Sequence, residues 1–121
     1  MRGSRQWAVL FHKDFFREAE AFSSGARIEL AAMIEVLQEL GPQLKRPHCD
    51  TLNGSQFANM KELRFAAADG VWRIAFAFDP GRRAILLAGG DKSGSGPARF
   101  YKTLLRKADK RYREWLEETG R

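Results

Sequence analysis

Cysteine is almost absent from this chain: Cys49 is the only one in 121 residues. No internal disulfide can form, so a reducing cytosol is the expected compartment. Histidine is nearly as scarce, with His12 and His48 alone. The adjacent His48-Cys49 has no second ligand pair at metal spacing, so neither a metal nor a cofactor is expected. Neighbours on an extended chain point in opposite directions, which argues against a Cys–His nucleophile pair as well. No apolar run approaches the roughly 18–20 residues a membrane span needs, and the N-terminus shows no apolar signal stretch. Repeats and low-complexity stretches are also missing. Membrane, secreted and disordered classes are thereby set aside.

What remains is a chain rich enough to fold. Hydrophobic residues make up 44% and aromatics 12%, sufficient for one sizeable core. Residues 1–121 therefore read as one domain, with residues 1–5 set apart from its pattern. The net charge is +6 and it is unevenly placed. Residues 1–40 carry five basic and six acidic side chains, whereas 81–113 carry ten basic residues against Asp91 and Asp109. Such a block suits a phosphate polymer or a carboxylate-rich partner, and equally a solvated basic surface.

Trp7 to Phe11 is a short apolar run, the pattern of a buried strand. Residues 13–22 place Phe15, Phe16, Ala19 and Phe22 on or near one helical face. Ser23-Ser24-Gly25 breaks the chain, with Ser24 as the expected N-cap of the next helix. From 26 to 40, Leu30, Met33, Ile34, Leu37 and Leu40 recur at helical spacing, and Gly41-Pro42 ends the run. Residues 42–58 look like an extended connection. Strands are predicted over 60–66, 71–78 and 84–88. Asp69-Gly70 forms the first turn, and Asp79-Pro80-Gly81-Arg82 suits a type II turn. A glycine-serine loop over 89–97 leads to a final helix starting at Pro97 and ending near 118. The order is β-α-α-β-β-β-α, an α+β fold with a small twisted antiparallel sheet and helices on one face.

Strict alternation in 71–78 sends Trp72, Ile74, Phe76 and Phe78 to the helices and leaves Arg73 on an open face. By the same parity Leu63 and Phe65 are buried, and Glu62 and Arg64 join Arg73. Two readings of that cluster stand: a charged reaction site, or cross-strand pairs that merely support a sheet. The loop Gly89 to Gly96 lacks the glycine spacing of a nucleotide-binding P-loop, with Asp91 where glycine is required. It can still offer Lys92 and backbone N–H groups to one phosphate, or serve as an ordinary connection. In the last helix Arg99, Lys102, Arg106, Lys110 and Arg113 form one basic stripe opposite Tyr101, Leu105, Ala108, Tyr112 and Trp115.

The runs Thr51 to Ser55, Met60 to Phe65, Gly70 to Pro80, Gly90 to Gly94 and Arg99 to Lys102, in this order and spacing, resemble the RelE/ParE superfamily of type II toxins. The similarity is to its HigB-like, phage-derived branch and covers about residues 6 to 118. It implies the RelE-like fold, with a helical hairpin before the sheet and a helix after it. It also implies a cytoplasmic toxin that cleaves mRNA, an endoribonuclease acting on the translating ribosome, restrained by a cognate helix-turn-helix antitoxin. The implied chemistry is metal-independent: a ribose 2′-OH attacks the adjacent phosphate, which calls for a base, a stabiliser and an acid. On that basis Arg73 stabilises the phosphate, Glu62 is the base beside Arg64, and Lys92 is acid or clamp. Lys61, Arg99, Tyr101 and Lys102 are the RNA-binding candidates. The two arginines would lower the pKa of Glu62 and weaken it as a base. The chain departs from better-known members in lacking a histidine near residues 89–101. Two other functions fit the same superfamily, a ParE-like gyrase poison and a catalytically decayed antitoxin-binding prophage protein.

Overall fold

The computed structural model describes residues 7–68, 70–94 and 96–120. Residues 1–5, Asp69 of the first expected turn and Ser95 within the expected loop lie outside them. The elements run β1 (Ala8–Phe11), α1 (Lys13–Glu20), α2 (Ser24–Leu40), β2 (Cys49–Thr51), β3 (Met60–Ala67), β4 (Gly70–Phe78), β5 (Arg83–Asp91) and α3 (Pro97–Glu118). Short 3-10 turns occupy Gly41–Gln43 and Lys92–Gly94. The architecture is α+β, with the hairpin of helices between β1 and the other four strands and one long helix after them.

The helices begin and end for local reasons. His12 caps α1 by accepting the Asp14 N–H on its ring. Ser23, one residue earlier than expected, caps α2 by accepting the Ala26 N–H. Gly41 closes α2 at φ +53°, with Trp7 packed where a β-carbon would stand, so the position demands glycine.

The sheet has five strands in the order β1-β5-β4-β3-β2. Strands β2 to β5 are antiparallel, and β1 adds to β5 in parallel. The extra strand β2 lies inside the stretch expected to be a plain connection. The last strand also runs to Asp91 rather than Ala88, so the first third of the expected glycine-serine loop is sheet. The β4–β5 turn differs too. Arg82, not Gly81, holds the left-handed conformation, at φ 61°. With Asp79 accepting from the Arg82 N–H and donating to the Arg83 carbonyl, this is a type I turn plus bulge.

The main correction concerns the two faces of the sheet. Trp72, Ile74 and Phe76 pack on α1 and α2 with Phe15, Leu30 and Leu37, as the alternation predicts. The opposite face is not open. Ala75, Ala77, Ile85, Leu87 and Ala88 meet Leu104, Ala108 and Tyr112 of α3. Helices therefore cover both faces, and Arg73 is 94% buried rather than accessible, its exposure being 6%. The alanines are the cause, because small side chains let α3 approach the strands. A bulge moves the β4–β5 register from Phe76↔Leu86 to Ala75↔Ala88, so Leu87 and Ala88 both serve the α3 core.

Two polar locks tie α3 to α1. Arg111 grips both carboxylate oxygens of Glu18 at 2.9 and 2.7 Å and donates to the Leu87 carbonyl at 2.8 Å. His12 Nε2 meets Glu114 at 3.1 Å. Neither lock was visible in residue spacing.

Candidate functional site

The α3-facing side of β3 and β4 presents its residues in rows. Arg64 is paired with Arg73 across the strands, and Glu62 with Ala75. Lys61 shares the parity of Leu63 and so points to the opposite face. It lines a different cleft, with Lys45, Arg46 and Asp50. From above, α3 brings Tyr101 down onto Glu62.

The contacts join these parts. The Tyr101 hydroxyl donates to Glu62 Oε1 at 2.9 Å. Arg73 Nε stands 3.9 Å from the same oxygen, and both side chains are less than a tenth exposed. Arg73 Nη1 donates to the Trp72 carbonyl at 2.9 Å, while its Nε is buried with no hydrogen-bond partner. Lys92 places its Nζ 5.8 Å from the centre of the Tyr101 ring. Burial and then the Glu62 carboxylate push the Tyr101 pKa up, and Arg73 only partly offsets them. The phenol therefore keeps its proton at neutral pH and remains a donor.

Glu62, Arg64 and Tyr101 open onto a polar cleft of about 310 Å³ whose outer wall is Arg46, Asp50 and Asn53. The Arg46 guanidinium, at 2.6 Å, and the Thr51 N–H both hold the exposed Asp50 carboxylate. The Thr51 backbone bond and then Arg46 lower its pKa. Such a cleft can accept an anion: it offers the Arg46 and Arg64 guanidinium groups and the Tyr101 phenol beside the carboxylates of Asp50 and Glu62, with the buried Arg73 behind Glu62.

Of the expected residues, Glu62, Arg64, Arg73, Lys92 and Tyr101 are brought together. Arg99 and Lys102 are exposed on α3 with Arg106, Lys110 and Arg113, so the basic stripe is a solvent-facing row. Within it Arg113 bonds Gln56 and lies 6.0 Å from the Phe57 ring centre, and Lys110 reaches Glu114 at 3.9 Å. Arg46 and Asp50 were missed, because only β2 pairing beside β3 carries them to the cleft.

Among the described residues, one group has metal-ligand spacing: His12, Asp14 and Glu114. Nδ1 of His12 accepts the Asp14 N–H at 3.1 Å, which leaves the proton on Nε2, facing Glu114. Both ring nitrogens are engaged within the protein, as an N-cap and an α1–α3 tie. None of the three lines the Glu62 cleft. No described helix is long and apolar enough to cross a membrane.

Comparison with known proteins matches this geometry to a family. Residues 17–113 fit the family described as phage-derived protein Gp49-like. The chain is 46% identical over 96 residues to HigB3 of Mycobacterium tuberculosis, which is named as a toxin, covering 79% of this chain and 82% of that protein. It is 46% identical over 88 residues to HigB2 of the same organism, also named as a toxin, covering 72% of this chain but 43% of that protein. Among solved structures, a doubly substituted mutant of the E. coli toxin RelE in the free state superposes with a TM-score of 0.60 at 13% identity. That match covers 83% of this chain and 94% of RelE, and it shows a shared fold. The chain belongs to the Gp49-like family of phage-derived proteins and is a toxin of the HigB type, from a toxin–antitoxin system.

Proposed function

We propose that this toxin is an endoribonuclease that cleaves mRNA on the translating ribosome and is restrained by a cognate helix-turn-helix antitoxin. The observation that carries the reading is the buried Arg73 Nε, which lacks a hydrogen-bond partner although it faces the Glu62 carboxylate and the Tyr101 phenol. A buried donor without a partner costs about 1–3 kcal/mol, an arrangement that makes sense where an anionic ligand completes it.

The reaction this set supports is attack of a ribose 2′-OH on the adjacent phosphorus. The O2′–P bond forms, the P–O5′ bond breaks, and a 2′,3′-cyclic phosphate and a 5′-hydroxyl result. Glu62 takes the 2′-OH proton, and Tyr101 holds one carboxylate oxygen and leaves the other for that task. Arg73 and Arg64 face the charge that builds on the phosphate oxygens, the group of interactions worth most in a dry site. Lys92, beside Tyr101, clamps the phosphate or supplies the proton to O5′. The exposed Arg99 and Lys102 contact the polynucleotide backbone outside the cleft, and Lys61 reaches it from the other side of β3.

Induction in bacterial cells, followed by mapping of mRNA 5′ ends within minutes, tests this. New 5′-hydroxyl ends inside translated frames are expected, and none with Arg73→Ala or Arg73→Lys while antitoxin binding persists. Growth arrest with intact mRNA and broken or relaxed DNA would replace the reading with a gyrase poison. Antitoxin binding with no growth effect would point to a decayed binder.

A further inference from the structure

Beyond the arginine pair, toward the β3–β4 hairpin tip, the same sheet face opens into a second and mostly apolar groove of about 360 Å³. Its walls include Pro47, His48, Ala66 and Val71, and its inner end is formed by Arg64 and Arg73. The reaction scheme above does not use it, and His48 was a residue without a role.

The sheet register explains how His48 arrives there. Ala66 is paired with Val71 one row beyond Arg64↔Arg73. His48 precedes β2, and its carbonyl accepts the Arg64 N–H at 2.8 Å, so it lies alongside Arg64. Cys49, the next residue, turns inward to the α2 core. By strand alternation His48 then faces the Arg64 side. The imidazole, Pro47 and Ala66 are exposed, and Val71 is 37% exposed although it is apolar.

We propose that this groove seats an unstacked nucleobase of the RNA strand, next to the phosphate held by Arg64 and Arg73. The inference rests on the reading of the cleft as an RNA-cleaving site. Three features select that occupant. Arg64 lines both the polar cleft and the groove, so a ligand in one is continuous with a ligand in the other. The walls offer flat stacking surfaces, an imidazole, a pyrrolidine ring and a guanidinium plane, which bases use irrespective of sequence. Two cations at the inner end also favour a chain that carries a phosphate beside every base. Successive same-face residues on a strand are about 6.7 Å apart, so the groove lies one row from the phosphate position.

The test uses binding, so that it stands apart from cleavage. A short RNA with 2′-O-methyl riboses cannot be cut by 2′-OH attack. Its affinity is measured by fluorescence anisotropy, beside a series in which each position in turn is abasic. One abasic position is expected to weaken binding to the wild-type protein on the order of 10-fold, as the loss of one stacked base does. In His48→Ala and in Ala66→Asp, both exposed sites, that position should matter no more than its neighbours. Equal affinity for the intact and all abasic RNAs overturns the groove as a base site. So does an abasic penalty of the same size in all three proteins. If the penalty appears but cellular mRNA stays intact, the base site stands and the cleavage reading fails. Cut mRNA without a penalty fails the groove alone.

Discussion

The Tyr101 phenol donates a 2.9 Å hydrogen bond to Glu62 Oε1, and through it the first turns of α3 are fastened to the middle of β3. The bond spans 39 residues of sequence and lies where the start of α3 leaves the alanine-lined core and meets Glu62 and Arg73. Because burial and Glu62 both raise the Tyr101 pKa, the phenol stays a donor well above neutral pH. Tyr101 thus orients Glu62 while Arg73, 3.9 Å away, supplies the opposing charge without closing a hydrogen bond to it.

Tyr101→Phe keeps the ring and removes the donor. A hydrogen bond to a charged group is worth about 1.5–3 kcal/mol, and a comparable loss is expected in urea unfolding. Cleavage should fall on the order of 10-fold or more, since a carboxylate free to rotate is a poorer base. Full activity with unchanged stability would remove Tyr101 from the site.

Asp79 is one of the carboxylates that shape the acid limb of stability. Burial pushes its pKa up, but hydrogen bonds from Trp115, Arg83 and Gly81 outweigh that and hold it below the usual carboxylate range. A carboxyl with a depressed folded pKa stabilises the fold fully above its unfolded value of about 3.9, and the contribution is lost as pH falls through the folded value. Unfolding free energy should therefore decline below about pH 4, with Trp115 fluorescence as the local reporter. In Asp79→Asn the decline should be shallower and the neutral-pH stability lower. An unchanged acid limb in that variant would place the pH dependence on other carboxylates, such as Glu18.

Gly89 is a packing requirement beside the site. A β-carbon there would run into Ile74 Cδ1 and stand 3.0 Å from the Arg73 carbonyl oxygen. Ile74 can turn aside, but the Arg73 backbone cannot without moving the guanidinium. Gly89→Ala is expected to cost about 1–3 kcal/mol, as overpacking does, and to lower cleavage more than this loss alone explains. Thermal melts and cleavage rates on the same preparation check it, and Gly90→Ala is the control. Its β-carbon would meet only Phe100, at 3.6 Å.

Much of this arrangement could be read from residue order, and the failures have physical causes. The parity of Trp72, Ile74 and Phe76 against Leu63 and Phe65 is strict, and it placed Glu62, Arg64 and Arg73 together on one face. The same parity made Ala75 and Ala77 look like an open surface, when their small size is what admits Leu104 and Tyr112. Arg73 was therefore expected in solvent and is buried. Strand β2 is three residues long, too short to show a period, so Arg46 and Asp50 were not linked to the cleft. The pairs Tyr101–Glu62, Arg111–Glu18 and His12–Glu114 join residues 39 to 102 positions apart, and no local spacing encodes them. Lys61 is the opposite case. Its shared parity with Leu63 already set it on the other face from Glu62.

The outer face of α3 yields the last expectation. Arg99, Lys102 and Arg106 are exposed, and none forms an ion pair among the described residues. Exposed cations without carboxylate partners retain their full charge for a polyanion, and each phosphate they neutralise releases a counterion. The affinity for single-stranded RNA should fall with salt at about 0.7 logarithmic units per phosphate contacted. Replacing Lys102 and Arg106 together by Gln should flatten that slope by about 1.4 while shifting stability by less than about 0.5 kcal/mol, as exposed substitutions do. The pattern separates this row from the cleft. Substitutions on the row should weaken all RNAs alike, whereas His48→Ala should erase the cost of one abasic position. An unaltered salt slope in the double variant would mean that the row faces solvent when RNA is bound, and that strand contacts are confined to the Glu62 face.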